Sequence, residues 1–225
     1  MSDISEIKNV VIESQNRLAQ MLGDYLSKQS LTVDAYQRYL SMQYHLTKGV
    51  QRYFMNIAAH EDLAKMKSLR AWLVNFSDEE EHHYLIAESD LNKLNLPILP
   101  MPFDVTLWHA HFKSIVTEKP FVRLGAACVL ENLAGGNANK WTHEALKADF
   151  LTKENTKFIV IHQHEVLPHG DQIFSALEQV SLTQEHIQDL VLGAKQATVM
   201  FLRMIEWVFN PECLSVLANN GKQQL

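Results

Sequence analysis

Cysteine is almost absent from this 225-residue chain: Cys128 and Cys213 are the only two. They are too few for a disulfide framework and lack the clustered spacing of a zinc site, which fits a reducing, cytoplasmic setting. No lysine or arginine run could track a phosphate backbone, and 20 basic against 26 acidic residues leave a formal charge of -6. Nucleic acid is therefore not an expected partner. No apolar run approaches the roughly 20 residues that span a bilayer. The N-terminal MSDISEIKNVV also lacks the basic and then apolar plan of a secretion signal. The expectation is a soluble protein with no membrane partner. Strand signals are missing too, since no segment alternates apolar and polar residues between turn residues.

What the chain does have is helical periodicity. Residues 3 to 28 place Ile4, Ile7, Val11, Leu18, Leu22 and Leu26 on one stripe. Thr32 suits the N-cap of a helix running through Tyr36, Tyr39, Leu40, Tyr44, Leu46, Val50 and Tyr53 to Phe54. HEDLAKMK leads into a helix ending at WLVNFSDEE. Ser77 followed by Glu80 then matches a capping box for a further helix through Leu85, Ile86, Leu91 and Leu94, with Asp78, Glu79, Glu80 and Glu81 at its positive end. Three of the six prolines, Pro97, Pro100 and Pro102, mark a loop between helix pairs. Trp108, His109 and His111 follow on a short helix.

Pro120 suits the first turn of PFVRLGAACVLENLAGGNANKWTHEAL, where Gly125, Ala126 and Ala127 permit close helix approach and Gly135-Gly136 invite a kink. Thr183 caps a long helix ending near Asn210-Pro211, and residues from about 212 to 225 have the composition of a frayed tail. The fold class expected is all-α, a single domain over 1–225 with seven or eight helices. At 47% hydrophobic residues it can bury one core.

The chemistry concentrates in FIVIHQHEVLPHG, which holds three of the eleven histidines. On a continuous helix His162, Glu165 and His169 fall within roughly 60° of one another, and His164 points away. Imidazole with carboxylate suits iron, manganese, zinc or copper, but one helix cannot complete such a site. Glu80 and His83 form an E-x-x-H pair, a reading that competes with the capping role. Glu131 lies among Val129, Leu130 and Leu133, where an unpaired carboxylate would be costly. It needs a metal, an arginine or a backbone donor.

Four stretches in order, YQRYLSMQYHL, EEEHHYLIAESDL, KPFVRLGAACVLENLAGG and FIVIHQHEVLPHG, resemble the haem-oxygenase-like superfamily. The likeness is to its iron-containing redox enzymes, the haem-oxygenase-like diiron oxidases, and more distantly to TenA- and PqqC-like proteins. The resemblance implies a helical bundle, often dimeric, with one or two iron ions and no haem. It implies oxidation or oxygenation of a small amino-acid-like or fatty-acid-like substrate by dioxygen. Glu80, His83, Glu131, His162 and His169 fall on the family's ligand positions. The family's aspartate is Val166 here, with Glu165 the nearest substitute, and an earlier glutamate of some members has only Gln43 and His45 nearby. The alternative is a TenA-like aminohydrolase of thiamin salvage, with Cys128 as nucleophile and Glu206 as carboxylate. Against it, Gln43 and Asn132 stand where that family has an acid and a tyrosine. A third reading is a non-catalytic bundle with a degenerate site.

Overall fold

A computed structural model describes residues 4–161 and 168–212. His162, Glu165, Val166, Cys213 and the C-terminal tail therefore lie outside the described residues. Among the described residues there are eleven α-helical segments, one short 3-10 turn and no strand. In chain order the helices are α1 (Ser5–Leu26), α2 (Val33–Thr47), α3 (Gln51–Ala59), α4 (Lys67–Glu80), α5 (His83–Lys93) and α6 (Phe103–Ile115). Then come α7 (Pro120–Leu130), α8 (Gly136–Ala145), α9 (Lys157–Val160), α10 (His169–Glu178) and α11 (Gln184–Phe209).

The expected helices are present, but three of them are interrupted. Gly49 takes a left-handed φ of 83° and separates α2 from α3. The kink anticipated at Gly135-Gly136 separates α7 from α8, with Gly136 at φ 54°. The third break falls in FIVIHQHEVLPHG, whose two ends lie in α9 and α10. Pro168 has ψ 144° and is not helical, so His169 opens a new helix instead of continuing the turn that carries Phe158. The one-helix arc expected for His162, Glu165 and His169 therefore does not reach His169, because proline at 168 lacks the N–H a continuous helix would need.

Two caps form as expected. Thr32 Oγ1 accepts from Ala35 N, and Thr183 Oγ1 accepts from His186 N while His186 Nδ1 accepts from Thr183 N. The Ser77 capping box does not form. Ser77 sits inside α4 and its hydroxyl donates to the Val74 carbonyl at 2.7 Å. α4 instead runs on to Glu80, which places the acidic run at the helix's negative end, where the dipole disfavours it.

α7 is the buried axis of the bundle: every residue from Pro120 to Val129 is buried, as an all-round apolar sequence requires. α11 crosses it at backbone distance. A Cβ on Gly193 would stand 1.7 Å from the Val122 carbonyl oxygen, and one on Gly125 would stand 1.9 Å from that of Leu190. The close approach read at Gly125 is thus real, and Gly193 is its reciprocal partner. α1 packs against α8 and α11, α2 against α5, and α3 against α4. The buried Asp90 of α5 accepts from Phe158 N at 2.8 Å, tying α9 to the bundle. No described helix is long and apolar enough to cross a membrane.

Candidate metal centre

Three helices deliver one carboxylate or imidazole each to a common point. Glu80 is the last residue of α4, Glu131 caps the C-terminus of α7, and His169 is the first residue of α10. One ligand-type atom from each lies within 4.8 Å of the other two. His169 Nδ1 is 3.1 Å from Glu80 Oε1 and 3.5 Å from Glu131 Oε2. The Glu80 and His169 side chains are 6% and 5% exposed and Glu131 is 12% exposed, so the cluster is shielded from bulk water.

Local chemistry fits a cation here. The negative ends of α4 and α7 and both carboxylates favour positive charge at the cluster, against the positive end of α10, which His169 opens. Glu80 Oε1 is buried without a directed hydrogen bond, its contact with Nδ1 being electrostatic. Two anionic oxygens and an imidazole nitrogen form a donor set suited to a first-row divalent metal.

The remaining expected ligands divide. His83 Nδ1 bonds Glu80 Oε2 at 2.8 Å, but the helix is interrupted at Glu81 and His82, so the pair spans the α4–α5 junction and not one helical face. His83 is thereby a neighbour of the three-residue cluster, with its ring 6.2 Å from that of His169. His162 and Glu165 lie outside the described residues. Cys128 is fully buried and burial pushes its thiol up, while Glu206 is exposed on α11.

Two residues at the site carried no sequence signal. Glu79 reaches His169 Nε2 at 3.2 Å from the outer side. Arg123 of α7 is buried, its guanidinium carbon 4.9 Å from the Tyr53 ring centre, 5.3 Å from Phe54, 5.9 Å from Trp108 and 5.4 Å from Phe112. Burial lowers its pKa to about 10, opposed by Tyr53, Glu131 and Glu80. Arg123 is thus a fixed cation held by aromatic faces, with the two carboxylates within its field.

Burial would raise the Glu80 carboxyl, yet the His169 and His83 rings outweigh it and hold the group at about 2. Burial would likewise lower His169, but Glu131 and Glu80 together raise it to about 10. A histidine raised in the folded state stabilises the fold below its ordinary pKa of 6.5 and loses that contribution as pH climbs through about 10. The melting temperature of the metal-free protein is accordingly expected to fall between pH 6.5 and 10. His169→Gln should flatten that decline, and an unchanged slope would refute the assignment. A metal competes with the same proton, so metal-induced stabilisation should grow over this pH range.

Gly170 makes the approach of α10 to α7 possible. A Cβ there would lie 2.1 Å from Asn132 Oδ1 and 2.4 Å from its Cγ, and Asn132 is held by its own bond to the Cys128 carbonyl at 2.8 Å. Gly170→Ala should cost about 2 kcal/mol and separate His169 from Glu131. Adding Asn132→Ala should restore stability in chemical denaturation, and a double variant as weak as the single would disprove the steric account.

No family model and no curated protein matches the chain. Among solved structures it is similar to the crystal structure of a domain of unknown function with a heme oxygenase-like fold from Shewanella denitrificans OS217. The TM-score is 0.82 over 95% of each chain, at 20% identity. The protein has a haem-oxygenase-like fold. The haem-oxygenase-like bundle expected from the four ordered stretches is therefore the bundle found. Within it, the cluster of Glu80, Glu131 and His169 lies where three of the four stretches meet.

Proposed function

We propose that this haem-oxygenase-like bundle is a non-haem iron oxidase or oxygenase acting on a small amino-acid-like or fatty-acid-like molecule. The observation that carries the reading is the meeting of Glu80, Glu131 and His169, from three separate helices, within 4.8 Å. Two carboxylates meeting in a shielded space need positive charge, which protonated His169 supplies in the metal-free protein and a metal ion would supply on binding. The resemblance of the four ordered stretches to the iron-containing redox enzymes favours iron over the other metals the donor set accepts.

When bound, ferrous iron would supply dioxygen binding and relay to it electrons whose source over a turnover is the oxidised organic substrate. The chain's own groups do the rest. Glu80 and Glu131 offset the metal's charge, His169 contributes a neutral donor once its proton leaves, and His83 holds the second oxygen of Glu80. Phe76 packs edge-on against His169 with ring centres 4.8 Å apart and limits water at the ring. An open cleft of about 470 Å³ is lined by Val11, Ile12, Gln15 and Phe174, by the charged Lys8, Asp171 and Glu178, and by Asn132, which follows Glu131 in the chain. Lys8 is already paired with Glu178 at 2.7 Å, so the apolar part of this lining, Val11, Ile12 and Phe174, is what suits a small molecule with an apolar body.

The test is anaerobic reconstitution with ferrous iron followed by dioxygen. The account expects bound iron and oxygen consumption that depends on it. Iron stoichiometry near zero after reconstitution would dismiss the proposal.

A further inference from the structure

Among the described residues, three carboxylates surround the His169 ring, and they divide between its nitrogens. Glu80 Oε1 at 3.1 Å and Glu131 Oε2 at 3.5 Å both face Nδ1, whereas Glu79 Oε2 stands 3.2 Å from Nε2. Glu80 and Glu131 form the shielded cluster with His169. Glu79 is outside it, with a side chain 54% exposed. We infer that His169 presents Nδ1 to a divalent metal, and that Glu79 is the positioning residue that fixes this choice by accepting a hydrogen bond from Nε2–H. The inference rests on the metal-centre reading above.

Valence decides which nitrogen meets the metal. A neutral imidazole has one N–H and one lone pair, and the bond made by one nitrogen decides the role of the other. A metal needs the lone pair, so ligation through Nδ1 puts the proton on Nε2, where an acceptor must meet it. Glu79 Oε2, 3.2 Å from Nε2, is the acceptor that the described residues offer. Ligation through Nε2 would instead place the ion against the exposed Glu79 and leave the two shielded carboxylates competing for a single Nδ1–H. That arrangement spends the buried charges on the weaker partner.

The ring's setting supports the first arrangement. Phe76 lies edge-on to it at 86°, and carboxylates engage both nitrogens, so its orientation is held from three sides. Metal-ligating histidines commonly donate their second N–H to a carboxylate, which orients the ring and raises its basicity. Glu79 and Glu80 differ by about 100° around α4. One therefore passes outside the His169 ring while the other passes inside.

Zinc(II), being diamagnetic, is the probe. In protein with 15N-labelled histidine, long-range 1H–15N correlation of the zinc complex should show Nε2 protonated and Nδ1 bound to the metal. Glu79→Ala should keep the fold and weaken zinc by about 10- to 100-fold, the usual scale for losing a ligand's outer partner. Glu79→Gln, which retains a neutral acceptor, should recover most of that loss. Asp78→Ala removes the same charge from the adjacent exposed position and should leave affinity within about twofold, as an exposed, unengaged charge does. Nε2 ligation overturns the inference, as does a Glu79→Ala affinity unchanged within error, or an Asp78→Ala loss equal to that of Glu79→Ala. A wild type that binds no zinc removes both this inference and the metal-centre reading. Tight binding that ignores Glu79→Ala removes this inference alone.

Discussion

Glu80→Ala is expected to abolish tight metal binding, lowering divalent-metal affinity by more than about 100-fold, since changes to outer-shell partners alone reach that size. Glu80 is the carboxylate on which the site turns: His83 holds one oxygen at 2.8 Å and His169 faces the other at 3.1 Å. Without it the two histidines lose their shared counter-charge, and the raised His169 pKa should fall back toward its ordinary 6.5. Glu80→Gln keeps the shape but not the charge and should also fail to bind, which separates electrostatics from packing. Calorimetric titration with manganese(II) checks affinity, and histidine titration by NMR checks the pKa. Metal affinity within about tenfold of wild type in both variants would show that Glu80 is not a ligand.

The second large effect concerns the scaffold. Gly193→Ala puts a methyl group 1.7 Å from the Val122 carbonyl oxygen and 2.6 Å from its carbon. Backbone atoms inside a helix cannot turn aside as a side chain can, so α7 and α11 must separate along their whole crossing. The cost should be about 3 kcal/mol or more, the upper end for overpacking, and a large part of the roughly 5–15 kcal/mol available to a typical domain. Urea denaturation should show the midpoint falling with little change of slope. A loss below about 0.5 kcal/mol, the scale of surface substitutions, would mean the helices do not cross this closely. Because α7 carries Glu131 at its end, the variant should also weaken metal binding.

The helical architecture was legible because its signals are local. The stripe from Ile7 to Leu18, the Thr32 and Thr183 caps and the proline loop each depend on residues a few positions apart. Glu131 was legible for a different reason, as a carboxylate in an apolar stretch demands a partner, and His169 proved to be that partner at 3.5 Å.

Other features depend on contacts between distant segments. The α4–α5 break contains neither glycine nor proline, and it falls where Glu80 and His83 engage the other site residues. The capping pattern at Ser77 was locally reasonable and lost to this tertiary demand, leaving Asp78 to Glu81 at a helix end that disfavours them. Glu79 looked like one more acid in a run, and only the placement of α10 gives it an imidazole. Arg123 is a cation in an otherwise apolar helix, and the four aromatic rings that hold it come from α3 and α6.

The central claim is that Glu80, Glu131 and His169 jointly hold a metal ion, and anomalous scattering from crystals grown with manganese(II) or, anaerobically, ferrous iron tests it most directly. The account predicts a peak between the three side chains, about 2.0–2.3 Å from an oxygen of each glutamate and from His169 Nδ1. A map with no peak there, and with Glu80 still paired to His169, would contradict it.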